Sequence, residues 1–81
     1  MKVVISTEQK NLIGPLLKLA RISSRLTQKE LSTKLEIEAI YIDRASISKI
    51  ESQRRIVTDY ELVGLAKVLN ISIDQLLPSN T

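Results

Sequence analysis

The sequence contains no cysteine and no histidine. Zinc sites that use these side chains and all disulfides are therefore excluded, as is catalysis by a Cys–His or Ser–His pair. The carboxylates are few, and most of them stand where a helix is predicted to begin, which argues against a metal-dependent hydrolase. We therefore expect neither enzyme activity nor a bound cofactor or metal ion.

Large aromatic side chains and long apolar runs are also missing. Only Tyr41 and Tyr60 are aromatic among the 81 residues, and a chain this short leaves no volume for an enclosed small-molecule substrate pocket. No apolar run approaches the roughly 20 residues of a membrane span, and Val3, Val4 and Ile5 are too few for the core of a signal peptide. We expect a cytoplasmic protein that does not associate with membranes.

Positive charge is modest in total but concentrated in one segment. The formal net charge is +3, yet residues 44–55 hold Arg44, Lys49, Arg54 and Arg55 with Glu51 as their only acid. Such a cluster is often no more than a solvated helix face. Its meaning depends on where it lies in the fold.

The apolar spacing is helical between residues 11 and 78, and this range is predicted to be one all-α domain. Residues 1–10 are predicted to be an N-terminal tail or arm, in which residues 3–5 fit either an arm or a short strand. Residues 79–81 are predicted to be a frayed C-terminus.

Capping residues mark where five helices are predicted to begin. Gly14 and Pro15 fit the first turn of the first helix, because a missing amide costs little there. Asp43 is suited to cap the third helix, and Asn70 suits the left-handed residue that closes the fourth. The capping-box pattern, a Ser or Thr followed three residues later by Glu or Gln, marks the other starts: Thr27 with Glu30, Thr58 with Glu61, and Ser72 with Gln75.

Apolar residues at helical spacing define the predicted buried faces. These residues are Ile13, Leu17 and Ala20, widened by Leu16 and Leu19, then Leu31 and Leu35, Ile47 and Ile50, and finally Leu62, Leu65, Ala66 and Leu69. If Ile47 and Ile50 face inward, the opposite side of the third helix faces away from the core. That opposite side carries Arg44, Ala45, Ser48 and Lys49.

Two capped helices followed by a basic segment have the form of a helix-turn-helix unit. A helix start carries partial positive charge and free amides, so the start of the second helix at Thr27 and Gln28 would seat a DNA phosphate. The next helix would present its outer side chains to base edges in the major groove. Arg44 is the best candidate for base recognition, because a guanidinium pairs with two acceptors of guanine. Arg54 and Arg55 follow that helix and would neutralise phosphates.

Six pieces of the sequence, in this order and spacing, carry a family resemblance: Ile13-Gly14, Arg21, Leu26-Thr27-Gln28-Lys29-Glu30-Leu31, Ser46-Ile47-Ser48-Lys49-Ile50-Glu51, Asp59-Tyr60-Glu61-Leu62 and Ala66-Lys67-Val68-Leu69-Asn70-Ile71-Ser72. Residues 13–77 resemble the repressor/Cro-type (XRE) helix-turn-helix family. The resemblance implies a five-helix fold in a bacterial or phage protein. It further implies a transcriptional regulator, expected to be a repressor, that binds double-stranded DNA at paired half-sites as a homodimer.

The resemblance and the helix positions together give a predicted interface. Gln28 would lie at the phosphate backbone beside the outermost base, and Arg21 would pair with Glu51 between the first and third helices in a structural role. The predicted base-contact residues are Arg44, Ala45, Ser48, Lys49 and Gln28. The predicted phosphate-contact residues are Thr27, Lys29, Ser46, Gln53, Arg54 and Arg55.

The chain departs from the family pattern in the turn before the third helix. The segment between Leu35 and Ile47 is several residues longer than usual, as in one subgroup of the family, so either the second helix runs on or a loop is inserted. The isoleucines at 37, 40 and 42 either extend the core or form an apolar patch for a partner. Arg25 and Gln53 stand where the family often has glycine, so these helix ends either hold a left-handed non-glycine residue or close differently.

A second class of function stays open at this point. An antitoxin-like or adaptor protein would use the same fold mainly to bind another protein, with DNA binding secondary or absent. Residues 37–42 and residues 3–5 are the apolar segments that would serve such a protein partner.

Overall fold

Four α-helices and one short 3₁₀ helix make up residues 8–79, the part of the chain that this computed structural model describes. The elements are α1 (Gly14–Ser23), α2 (Gln28–Ile37), α3 (Arg44–Glu51), α4 (Asp59–Leu69) and the 3₁₀ helix (Ile73–Leu76). No strand occurs within this range, and the all-α prediction is confirmed. None of these helices is long and apolar enough to cross a membrane.

The predicted short fifth helix is present as a single 3₁₀ turn of four residues, so the count of α-helices is four. Leu77 has an extended backbone, with φ −97° and ψ 138°. The residue before a proline is disfavoured in the helical region, so Pro78 keeps Leu77 out of the helix. An α-helix has no room to form between Ser72 and Leu77.

The structure describes only part of the two predicted terminal segments. Residues 3–5 of the predicted arm and residues 80–81 of the predicted frayed end lie outside the described residues. The amide of Lys10 donates to the carbonyl of Gln53 at 3.0 Å, so the segment that precedes α1 is attached to the chain just after α3.

The two principal capping boxes form as the sequence predicts. In α2 the Glu30 amide donates to Thr27 Oγ1 at 3.0 Å, and the Thr27 amide donates to the Glu30 carboxylate at 2.9 Å. In α4 the corresponding bonds between Thr58 and Glu61 are 3.2 and 3.0 Å. Asn70 closes α4 with φ 56°, in the left-handed region. Each box satisfies two amides that a helix start leaves without partners.

The core lies where the four helices meet, and it is wholly aliphatic. Ile47 and Ile50 of α3 are completely buried, as predicted, but Leu19 is 61% exposed. The prediction that Leu19 widens the buried face of α1 is wrong, because two residues turn a helix by about 200° and carry Leu19 away from the buried Leu17. The buried apolar residues are Ile13, Leu17, Leu31, Leu35, Ile42, Ile47, Ile50, Leu65, Ala66, Leu69 and Leu76.

The start of α1 lies directly against the end of α3. A Cβ at Gly14 would overlap the carbonyl oxygen of Ile50 and lie 2.9 Å from that of Glu51, so only glycine permits this approach. The Asn11 side chain accepts from the Gly14 amide at 2.9 Å and donates to the carbonyls of Ile50 and Arg55 at 3.0 and 2.8 Å. These contacts fix the carboxyl end of α3.

Candidate nucleic-acid interface

The helix that carries the predicted base-contact residues begins at a capped residue. Asp43 has an extended backbone, and its carboxylate accepts a hydrogen bond from the Ser46 amide at 2.7 Å. This bond lowers the pKa of Asp43, and the nearby charges of Lys49 and Arg55 lower it further. The cap stabilises the first turn of α3.

The outer side of α3 is open to solvent near the start of α2. Arg44, Ala45 and Lys49 are exposed, while Ser46 and Ser48 are half-buried. One open depression is lined by Gln28, Asp43, Arg44, Ala45 and Ser48. The structure thus brings four of the five predicted base-contact residues to one depression, and Lys49 lies outside its lining on the same short helix.

A buried ion pair lies beneath this surface. Arg21 of α1 donates to both carboxylate oxygens of Glu51 in α3, with distances of 2.6 Å from Nε and 3.1 Å from Nη2. The two side chains are 11% and 5% exposed. The hydrogen bonds to Glu51 raise the pKa of Arg21, so the guanidinium keeps its charge.

The same carboxylate also holds the start of α2. Gln28 Nε2 donates to Glu51 Oε1 at 3.1 Å, and Arg21 Nη1 donates to the carbonyl of Leu26 at 2.8 Å. Glu51 therefore joins α1, the start of α2 and the end of α3. Because Gln28 is half-buried and tied to Glu51, its position relative to Arg44 is fixed from within the protein.

Among the residues that follow α3, Arg54 is exposed to solvent, and Gln53 and Arg55 are half-buried. Arg54 is exposed, with its Nε 2.8 Å from Ser52 Oγ. Arg55 instead makes a two-pronged ion pair with Glu61 of α4, at 2.8 and 2.9 Å, and this pairing lowers the pKa of Glu61. Gln53 Nε2 donates to the carbonyl of Asn11 at 3.0 Å. Arg55 and Gln53 are therefore half-buried and bonded to other segments of the fold, whereas Arg54 is exposed and bonded to the neighbouring Ser52.

The lengthened segment before α3 is a loop, because α2 ends at Ile37. The loop consists of residues 38–43, and the isoleucines of the lengthened segment, Ile37, Ile40 and Ile42, take different positions. Ile42 is buried and Ile40 packs against the core, but Ile37 is 78% exposed. The first two extend the core, and Ile37 together with Tyr41, which is 76% exposed, leaves a small apolar surface.

The two helix ends without the expected glycine hold left-handed residues. Arg25, between α1 and α2, has φ 58°, and Gln53, after α3, has φ 63°. Of the two alternatives that the sequence left open, the first is therefore correct.

Two capped helices joined by a loop, with the outer side of the second exposed beside the start of the first, form a helix-turn-helix arrangement. The family model that matches the sequence is the helix-turn-helix model HTH_3, over residues 17–76. The chain belongs to the helix-turn-helix family. The family and the fold are those of DNA-binding regulators.

Three solved structures superpose on this helix-turn-helix domain. The restriction-modification controller protein C.AhdI from Aeromonas hydrophila is 25% identical, covers 80% of this chain and 87% of its own, and has a TM-score of 0.70. The DNA-binding domain of BldD is 23% identical over 91% of this chain and 100% of its own, with a TM-score of 0.72. The hypothetical transcription factor NHTF from Neisseria is 21% identical over 96% of this chain and 87% of its own, with a TM-score of 0.68. No curated protein matches the sequence significantly.

Acid is expected to destabilise this helix-turn-helix domain through its capping carboxylates. Hydrogen bonds lower the pKa values of Glu30, Asp43 and Glu61 in the folded protein. The stability that they provide is complete above the ordinary carboxyl pKa, about 4, and is lost as the pH falls through the lowered values. Thermal unfolding followed by circular dichroism between neutral and acid pH measures this loss. Asp43→Asn keeps an acceptor that does not titrate, so a pH dependence as steep as that of the wild type would contradict the role of Asp43.

Proposed function

We propose that this DNA-binding transcription regulator binds an operator as a homodimer, with α3 of each subunit in the major groove. The observation that carries the proposal is the open depression at the start of α3, where Arg44, Ala45 and Ser48 meet Gln28. An eight-residue helix with a capped, outward-facing first turn fits the way in which helix-turn-helix proteins present side chains to base edges. The similarity to a restriction-modification controller protein and to a DNA-binding domain supports regulation through DNA.

Each side chain of this interface has a role suited to its chemistry. Arg44 would pair with guanine, and Ala45 would contact a thymine methyl group. Ser48 and Lys49 would reach bases further along the groove, and Gln28 would lie beside the outermost base.

Phosphates would be bound on both sides of α3. At the start of α2, Thr27 and Lys29 are exposed and lie near free amides that favour an anion. Ser46 and Arg54 would bind phosphates along α3, and we assign Gln53 and Arg55 to holding the end of α3 in place.

Selection of bound sequences from random duplex DNA tests the proposed function. We expect a pseudo-palindromic sequence, because two-fold symmetry of a homodimer places two α3 helices about one turn of DNA apart. Repeated selection with folded protein that recovers no common sequence would overturn the proposal. If the recovered sequences share a pattern without two-fold symmetry, the homodimer is wrong and operator binding stands.

Arg54→Ala is expected to weaken binding to all duplexes by a similar factor. Loss of one phosphate contact should lower the slope of log affinity against log salt by about one unit. Lys34→Ala is the control, because it removes an equal charge from an exposed position in the last turn of α2. Titrations at several salt concentrations measure the slopes, and an equal change in both variants would show that only net charge matters.

Arg55→Ala serves as a second comparison, since Arg55 follows Arg54 directly but is paired with Glu61. We expect it to lower the thermal unfolding midpoint while the salt slope of the folded protein stays unchanged. A reduced slope would return Arg55 to the phosphate-binding residues.

The adaptor alternative rests on the exposed Ile37 and Tyr41. Since Ile40 and Ile42 turn toward the core, the apolar surface left at residues 37–42 for a protein partner is small. This alternative would be favoured over the proposed function if a pull-down recovers a stoichiometric protein partner and the protein does not protect an operator.

A further inference from the structure

The loop between α2 and α3, residues 38–43, is held against both α2 and α4. Ser32 Oγ in α2 donates to the carbonyl of Ile42 at 2.6 Å. Lys67 Nζ in α4 donates to the Glu38 carboxylate at 3.0 Å. The loop therefore bridges two helices immediately before α3 begins.

A third attachment is the contact between Ile40 and Gly64. A Cβ at position 64 would overlap Ile40 Cδ1 and lie 3.3 Å from Ile40 Cγ1. Glycine inside a helix is unfavourable relative to alanine, and Gly64 is buried in the middle of α4. The missing side chain makes the room in which Ile40 packs.

The position of this loop determines where α3 begins. Asp43, the cap of α3, follows the buried Ile42 directly, and the predicted base-contact residues Arg44 and Ala45 come next. A loop displaced from α4 would therefore act first on the adjoining first turn of α3.

We infer that Ile40, packed against Gly64, is a positioning residue that sets the direction of the first turn of α3 and thereby the sequence preference for DNA. The inference rests on the proposed function. An alanine at position 64 displaces the tip of Ile40, a larger side chain there displaces the loop as well, and a smaller side chain at position 40 restores the room.

The test measures the ratio of affinities for the selected operator and for an unrelated duplex, at a temperature where circular dichroism shows each variant folded. Gly64→Val leaves no room for the tip of Ile40 and is expected to lower this ratio about tenfold, the effect of misreading one base pair. Gly64→Ala is expected to lower it less, because the tip of Ile40 is able to rotate. The double variant Gly64→Ala with Ile40→Val lacks Cδ1, so its ratio should return to the wild-type value.

A control and a second measurement separate positioning from stability. Leu76→Val creates a cavity at the buried side chain of the 3₁₀ helix, which packs on α1 and α4, and it should lower the unfolding midpoint without changing the ratio. Amide chemical shifts of residues 44–49 should move in Gly64→Ala and return in the double variant.

The outcomes distinguish this inference from the proposed function. If the wild type binds the operator selectively and Gly64→Val has the same ratio of affinities, the inference is wrong and the proposed function stands. An equal drop in the ratio for Leu76→Val also overturns it. A wild type that selects no sequence overturns the proposed function, and the inference with it.

Discussion

Glu51→Ala is expected to lower the free energy of unfolding by about 3 kcal/mol, because removing one partner of a buried ion pair leaves the other charge uncompensated. The carboxylate of Glu51 accepts from both Arg21 and Gln28, so alanine deprives three donor groups of their acceptor. For a small domain with a total stability of roughly 5–15 kcal/mol, this loss removes between about a fifth and three fifths of the free energy of unfolding. Urea denaturation with an unchanged m-value measures it.

Glu36→Ala is the matched control for this change. Glu36 is an exposed glutamate of α2, and its replacement should alter stability by no more than about 0.5 kcal/mol. The double replacement Arg21→Met with Glu51→Leu removes both charges and should recover much of the lost stability, since apolar replacements of buried ion pairs are often well tolerated. Equal losses for Glu51→Ala and Glu36→Ala would show that the ion pair does not hold the three helices together.

Arg44→Ala is expected to weaken binding to the selected operator by about 1–3 kcal/mol, or roughly five- to 150-fold, and to relax the preference at one base pair. Arg44 is exposed in the depression at the start of α3, so truncating it removes the proposed base contact without disturbing the core. Titration against operators changed at one base pair at a time locates the position that Arg44 recognises.

Arg54→Ala is the control for Arg44→Ala, because both remove one exposed arginine from the same segment. It should weaken every operator equally and leave the base preferences unchanged. If the two variants lose affinity uniformly and to the same extent, Arg44 binds phosphate and the base-contact assignment fails.

The parts of the fold that the sequence predicted depend on short-range rules. Thr27 and Glu30 are three residues apart, and this spacing alone places the hydroxyl and the carboxylate near each other's amides. Likewise, the burial of Ile47 and Ile50 follows from their three-residue spacing in a capped helix. These local relations were sufficient to predict the outward face of α3 before any tertiary contact was known.

The contacts that the sequence did not predict join residues that no fixed spacing along the chain relates. Arg55 and Glu61 are six residues apart across a helix start, so no helical spacing relates them. Asn11 binds carbonyls some forty residues away. A glycine within a helical pattern, such as Gly64, can indicate a close approach, but only the structure identifies Ile40 as the side chain that fills the space.

The junctions between the elements share the left-handed backbone conformation, and this affects which substitutions stabilise the domain. Arg25, Ala39, Gln53 and Asn70 all have positive φ, and the described residues include no glycine in that region. A non-glycine residue in this conformation costs roughly 1–2 kcal/mol, so glycine at Ala39, where only a methyl group would be lost, relieves strain in the loop that leads into α3. Such a substitution would offset part of the stability lost through changes on the proposed DNA-binding surface as the binding preference diverges.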